Sequence, residues 1–230
     1  MKFKKSTWVL LFVFLAGISG YSQSSKKAFK KLSSPEKCWV VFHPFKAKRA
    51  YRVTKEVEQV IDSIRQIGNM GTHHAGNQLD AFKHAFWMWS LAEEIGWRSA
   101  KSLGDQHEKG NYEFHKEHKL EDRTTPDKVS GEMDLYNNAV GIRLYKKYKK
   151  QKLTQQERIE KVKEAVLRGE MRMIYQTYSG KYLDATGRLI PKNEYYGVWE
   201  NSKCLVPSTS IFLMADNKSK SLNLSQNIKK

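Results

Sequence analysis

Apolar residues return at helical intervals along most of this chain. Val53, Val57, Val60, Ile61, Ile64 and Ile67 recur every three to four positions and predict an amphipathic helix over 53–67. Three glycines within 68–77 break it. The run "DAFKHAFWMWSLA" belongs to a second helix, 78–95, apolar over most of its surface and stopped at Gly96. A third helix is predicted over 97–109, a fourth over 131–149, and a fifth over 155–178, opened by a Thr154–Glu157 capping box. "YLDATGRLIP" (182–191) sets a turn between two short apolar runs and predicts a β-hairpin. "KCWVVFHPF" (37–45) reads as a strand or an extended tether, and the charged stretch 110–130 as a long surface loop. The expected fold is mainly α: a single helical-bundle-like domain of about five helices with a short C-terminal β-hairpin.

Turning each helix by about 100° per residue separates its wet face from its dry one. On the second helix Lys83, Ser90, Glu93 and Glu94 share the solvent sector, which leaves Asp80 and His84 beside Trp87, Leu91 and Ile95. On the fourth, Arg143, Lys146, Lys147 and Lys150 face water, and Asp134, Asn138, Gly141 and Tyr145 lie opposite, with Asn137 close by. On the third, Arg98, Lys101, Asp105 and Lys109 face water, Ala100, Leu103, Gly104 and His107 point inward, and Glu108 falls at the edge. Three consecutive helices thus aim ionisable or amide groups at their dry sides. Buried charges demand partners, so these groups are expected to meet in one polar cluster.

Each residue also has a local explanation. Asp80 follows a cap at Asn77, and Asp134 follows Ser130, where acids suit a helix N-terminus. His84 could be a core histidine bonded to a carbonyl, and Asn137 and Asn138 could crosslink helices. Taken together, the residues favour a functional cluster over a purely structural network. His73 and His74, in the glycine-rich loop, and His115 and His118, in the charged stretch, read as solvated, and His43 carries no signal.

The ends of the chain change the setting. Lys2, Lys4 and Lys5 precede the apolar stretch "WVLLFVFLAGI", and small residues follow at Gly20 and Ser22. This is the pattern of a signal peptide over 1–22, cleaved near Gln23. The expected locale is exported: periplasmic, cell-surface or secreted, with no transmembrane segment after cleavage. Residues 23–36 form a basic leader, 37–207 the helical domain, and 208–230 a disordered tail that from 215 is too poor in apolar residues to pack. Among 230 residues the formal net charge is +17, which suits an anionic polymer or lipid surface as partner, although no nucleic-acid motif occurs and lysines spread this evenly fit a solvated surface better. Export makes a disulfide between the two cysteines, Cys38 and Cys204, an expectation.

"GNQLDAFKHAFWMW", "HE" and "MDLYNNAVG" occur in this order and resemble a bacterial all-helical domain family of unknown function. The residues that carry the resemblance are Asp80, Ala81, Phe82, His84, Ala85 and Trp87; His107 and Glu108; and Met133, Asp134, Leu135, Asn137, Asn138 and Gly141. It spans residues 76–145. It implies a helical domain of a kind found in exported proteins and at the ends of large toxin-like chains, and it supports the clustering without supplying a reaction.

The chemistry of the cluster points to hydrolysis. Asp80, His84, His107 and Asp134 are candidate ligands for a divalent metal such as zinc. Glu108 would then act as general base, and Asn138 would orient a ligand or polarise a phosphodiester or ester. A metal-free version makes His107 the base, oriented by Asp134 or Glu108. "HEKGN" lacks the second histidine of a zinc protease, and no G-x-S-x-G nucleophile elbow occurs. The alternatives are a non-catalytic envelope binding module and a purely structural polar network.

Overall fold

The computed structural model describes residues 23–68, 70, 75–120, 124–177 and 179–209. The signal segment, His73, His74 and the tail from 210 lie outside them. The described residues form eight helices: α1 (Gln23–Lys31), α2 (Ser34–Phe42), α3 (Pro44–Ile67), α4 (Gln78–Ile95), α5 (Trp97–Lys116), α6 (Lys128–Tyr148), α7 (Gln155–Leu167) and the single turn α8 (Lys192–Tyr195). Strand β1 (Arg172–Ile174) pairs antiparallel with β2 (Leu205–Pro207), Met173 opposite Val206. The protein is mainly α, as expected.

Helix α4 is the axis of the fold. Thirteen of its eighteen residues are buried, which requires neighbours on nearly every side. It packs against α3, α5, α6, α7 and β1. Phe82, Ala85, Phe86, Met88 and Leu91 are at most 1 % exposed, so a polar residue on this side of the helix has no route to bulk water. Asn77 caps it, its side chain accepting from the Asp80 backbone N–H.

Several expectations change. Residues 37–45 are not a strand or tether: 34–42 are helical, started by a Ser33–Glu36 capping box with a proline in the first turn, and Trp39 is buried. The basic leader holds α1 and this cap. The stretch 110–130 is not one long loop, because α5 continues to Lys116 with Gly110 and Asn111 buried, and α6 begins at Lys128 on an Asp127 cap. The Thr154–Glu157 box does open α7, yet the helix stops at Leu167. The stop signal is Gly169, at φ 74°. Its N–H bonds the Val166 carbonyl oxygen and the Glu170 N–H bonds that of Ala165, a Schellman ending. The 182–191 hairpin consists of one antiparallel bridge, Leu183 to Leu189, around a turn held by the Asp184 carboxylate.

The expected disulfide is replaced by two free thiols. Cys38 is exposed on α2, which packs on α3 and α5, whereas the Cys204 sulfur lies 3.9 Å from the Leu183 carbonyl oxygen, in the C-terminal segment. No helix among the described residues is long and apolar enough to cross a membrane.

Candidate metal centre

Close helix approach builds the site. A Cβ on Gly141 of α6 would lie 2.1 Å from the Ala85 carbonyl oxygen, so only glycine lets α6 sit this near α4. A Cβ on Gly104 of α5 would meet Met88 at 2.4 Å and the Asn138 amide at 3.3 Å. These two positions draw α4, α5 and α6 together beside the polar residues on their dry faces.

Three of the four expected ligands converge. Asp80, His84 and Asp134 each present one ligand atom, all within 4.8 Å of one another, and all three residues are buried. His84 Nε2 lies 3.1 Å from Asp134 Oδ1 and 3.6 Å from Asp80 Oδ1. Asp80 is also pinned locally: its Oδ2 accepts from the Gly76 backbone N–H at 2.8 Å. Lys83, assigned to the wet face, is half-buried with Nζ 2.8 Å from Asp80 Oδ1. Asp134 lies two turns inside α6, whose cap is Asp127, so a helix-terminal preference does not account for it.

His107 does not join this group. Its ring is partly exposed, packs edge-on against Trp87 and bonds Glu36 Oε1 through Nδ1 at 2.9 Å. The other Glu36 oxygen accepts from Ser33 N–H and Oγ. Burial pushes the Glu36 carboxyl up, but the His107 bond and charge, with the Ser33 bonds, outweigh it and hold it below its ordinary value. The inward stripe of α5 is therefore Gly104, Glu108 and Asn111, not one centred on His107. A helix ended at 109 hides that stripe, since Asn111 completes it.

Glu108 is buried and bridges two amides. Its Oε2 accepts from Asn111 Nδ2 at 3.0 Å, and its Oε1 lies 3.5 Å from Asn138 Nδ2. Asn138 stands one turn beyond Asp134 on the same face of α6, so the Glu108 pair adjoins the three-ligand group. Asn137 acts elsewhere. Its amide makes two bonds to the Arg172 backbone, at 2.8 and 2.9 Å, and fastens β1 to α6. His115 is not solvated either, bonding the Pro126 carbonyl oxygen and packing on Trp199.

The C-terminal segment covers the Asp80 end. Ile174 N–H bonds the Gly76 carbonyl oxygen, and Gln78 Nε2 bonds the Ser208 carbonyl oxygen. Burial first, then the charges of Asp127, Tyr195 and Asp80, push the Tyr182 phenol well above its ordinary value. Lys203 lies 2.6 Å from Asp127 Oδ2 in a second buried ionic pair. Glu36, Asn111, Asp127, Tyr182 and Lys203 do not stand out in the sequence. Only Asp127, an acid just before a helical run, and Glu36, in the Ser33-x-x-Glu36 box, carry a local signal, as caps.

The donor set suits a divalent ion. Two carboxylates and one imidazole are ligand types shared by zinc and manganese sites. No curated protein and no solved structure matches the chain. Residues 37–170 match the family described as a domain of unknown function, DUF6973, and the chain belongs to that family.

Proposed function

We propose that this protein is an exported, metal-dependent hydrolase of ester or phosphodiester bonds, with its ion held by Asp80, His84 and Asp134. The observation that carries the reading is the meeting of two carboxylates and an imidazole, from two helices, within 4.8 Å in the interior. Such a group is costly without a cation, because like charges in low dielectric repel. The ion would acidify a bound water, and Glu108 would take the proton as general base. Asn138 would orient Glu108. His107, held by Glu36, lies outside the proposed ligand set and steadies α5 against α2. Support for export comes from the N-terminal lysines, the short apolar stretch and the small residues before Gln23. The basic charge favours an anionic substrate or surface.

A second reading has one observation in its favour. Lys83 and a protonated His84 would together balance Asp80 and Asp134, giving a metal-free structural network. One experiment separates the two. The purified chain is stripped with chelator, reloaded with Zn²⁺ or Mn²⁺, and assayed on bis-phosphodiester and ester reporters beside His84→Ala. Zn²⁺ binding and turnover that both vanish in a folded His84→Ala protein support the hydrolase. A chain that takes up no ion and loses no melting temperature to chelator supports the network.

A further inference from the structure

Beside the three-ligand group lies a set of oxygens that internal hydrogen bonding leaves incomplete. Glu108 turns the amide nitrogens of Asn111 and Asn138 toward its carboxylate. That leaves both amide oxygens pointing elsewhere. Among the described residues, neither Asn111 Oδ1 nor Asn138 Oδ1 has a hydrogen-bond partner, and the two side chains belong to residues only 2 % and 5 % exposed. Buried amide oxygens are ordinarily satisfied, so two buried amides that flank one carboxylate with their oxygens unpaired mark a polar site left incomplete.

Glu108 also abuts the turn of α6 that carries Asp134. Its Oε2 is 4.0 Å from a Cβ built on Gly131, and its Oε1 is 3.5 Å from Asn138 Nδ2. Gly131, Asp134 and Asn138 share one face of α6, with Asp134 between the other two. The Glu108 carboxylate is thus a neighbour of the proposed ion site.

From this we infer a second cation site, made only of oxygen: the Glu108 carboxylate with the side-chain oxygens of Asn111 and Asn138. Each amide reaches a cation beside the carboxylate by turning half a revolution about its last bond, which brings its oxygen to the position its nitrogen holds and gives up the Glu108 hydrogen bond for the ion. An all-oxygen set of one carboxylate and two amides selects hard divalent ions, Mg²⁺, Ca²⁺ or Mn²⁺, whereas the imidazole of His84 suits the neighbouring site to Zn²⁺ or Mn²⁺. The inference rests on the proposed function for its neighbour, though not for its own ligands. With both positions filled, the centre would be of the two-ion type that clamps the attacking and leaving oxygens of a phosphodiester, and Glu108 and Asn138 would hold an ion rather than serve as base and orienting group.

Mn²⁺ suits both donor sets and is the probe. Equilibrium dialysis of the chelator-stripped full chain should give two equivalents of Mn²⁺, falling to one in Glu108→Gln and to one in His84→Ala, with folding checked by circular dichroism. Asn111→Asp adds a carboxylate and should keep two equivalents with the weaker-binding ion held at least about tenfold tighter. One equivalent in the parent chain, lost in His84→Ala and kept in Glu108→Gln, overturns the second site and leaves the proposed function standing. One equivalent lost in Glu108→Gln and kept in His84→Ala supports the oxygen site and overturns its neighbour. No uptake overturns both. If Glu108→Gln fails to fold, Asn111→Asp decides: tightened uptake supports the site, and unchanged uptake overturns it.

Discussion

Two buried ionic clusters sit within the same fold, and they are built on opposite principles. In the first, Lys203 Nζ is 2.6 Å from Asp127 Oδ2, with side chains 6 % and 2 % exposed. Asn201 Nδ2 donates to the same oxygen, and Ser130 N–H donates to the other. The ammonium also faces the rings of Tyr182 and Tyr195, at 3.9 and 4.8 Å. One anion meets one cation, and both carboxylate oxygens are engaged. In the second, among the described residues, Asp80, Asp134 and Glu108 bring three carboxylates near Lys83 and the His84 imidazole. The first cluster is closed within the chain. Among the described residues, the second gathers three carboxylates to the first cluster's one. A closed pair fastens elements together; a cluster of carboxylates and an imidazole is the arrangement that the proposed ion would use.

The closed pair also has a location that serves the open one. Asp127 caps α6, which carries Asp134 two turns further on, and Lys203 precedes β2. The pair therefore ties the C-terminal segment, which lies beyond the family match at 37–170, to the helix that supplies a proposed ligand. Burial pushes the Lys203 amine below its ordinary value, and the Asp127 charge and hydrogen bond pull it back only in part. Cutting this pair is the strongest way to test the contrast. Lys203→Met should destabilise by about 3–5 kcal/mol in urea unfolding, because Asp127 is left charged and buried. The double variant with Asp127→Asn should recover much of that loss. A single variant within about 1 kcal/mol of the parent would show that the pair is not a fastener.

The open cluster should answer to ions instead. At an ion concentration about a hundredfold above its dissociation constant, Zn²⁺ or Mn²⁺ should stabilise the parent chain by roughly 2.7 kcal/mol. With Zn²⁺, which the oxygen site does not select, His84→Ala should gain nothing, while a folded Lys203→Met chain should gain the full amount. Equal gains in parent and His84→Ala would erase the distinction between the clusters.

Helix approach is the next lever. Gly141→Ala places a methyl against the Ala85 carbonyl and must move α6 from α4. Overpacking of this kind costs about 1–3 kcal/mol. It should also weaken ion binding, since Asp134 and His84 come from the helices that part. Ion affinity unchanged at lowered stability would separate the packing from the site.

The sequence discloses the open cluster better than the closed one, for a physical reason. Asp80, His84, Asp134 and Asn138 stand on long helices whose wet faces are marked by Lys, Arg and Glu, so a polar residue on the dry side is conspicuous. Helix α4 is legible end to end because Asn77 and Gly96 bound it. Lys203 and Asp127 stand in short connecting segments with no periodicity to betray burial, and they are 76 residues apart. The β1–β2 pairing is hidden likewise, since strands of three residues carry too little alternation. Helix α2 escapes the pattern because its apolar, β-branched residues suggest a strand, and the Ser33–Glu36 cap just upstream outweighs them. His107 reads as inward because one position of helical phase separates it from Glu108, and Asn111 lies past the predicted end.

Glu36 and His107 offer the smallest and most specific test, since they ask to which class a rim pair belongs. They are matched one to one, as Asp127 and Lys203 are, at 2.9 Å. Burial pushes the folded Glu36 carboxyl up, yet it sits below its ordinary value of 4.5, because the His107 and Ser33 interactions prevail. The unfolded chain therefore takes up a proton near the ordinary value, while the folded protein does so only at lower pH. The stability this contributes is present above pH 4.5 and drains away as the pH falls through the folded value. Glu36→Gln lacks that titration. Its deficit against the parent should be steady from about pH 6 down to the ordinary carboxylate range, then shrink as acid removes the parent's advantage. Urea midpoints across that range, with ions chelated so that the open cluster is silent, would measure it. A deficit that stays constant into strong acid would mean that Glu36 serves as a neutral hydrogen-bonding cap, and that His107 is not held as half of an ion pair.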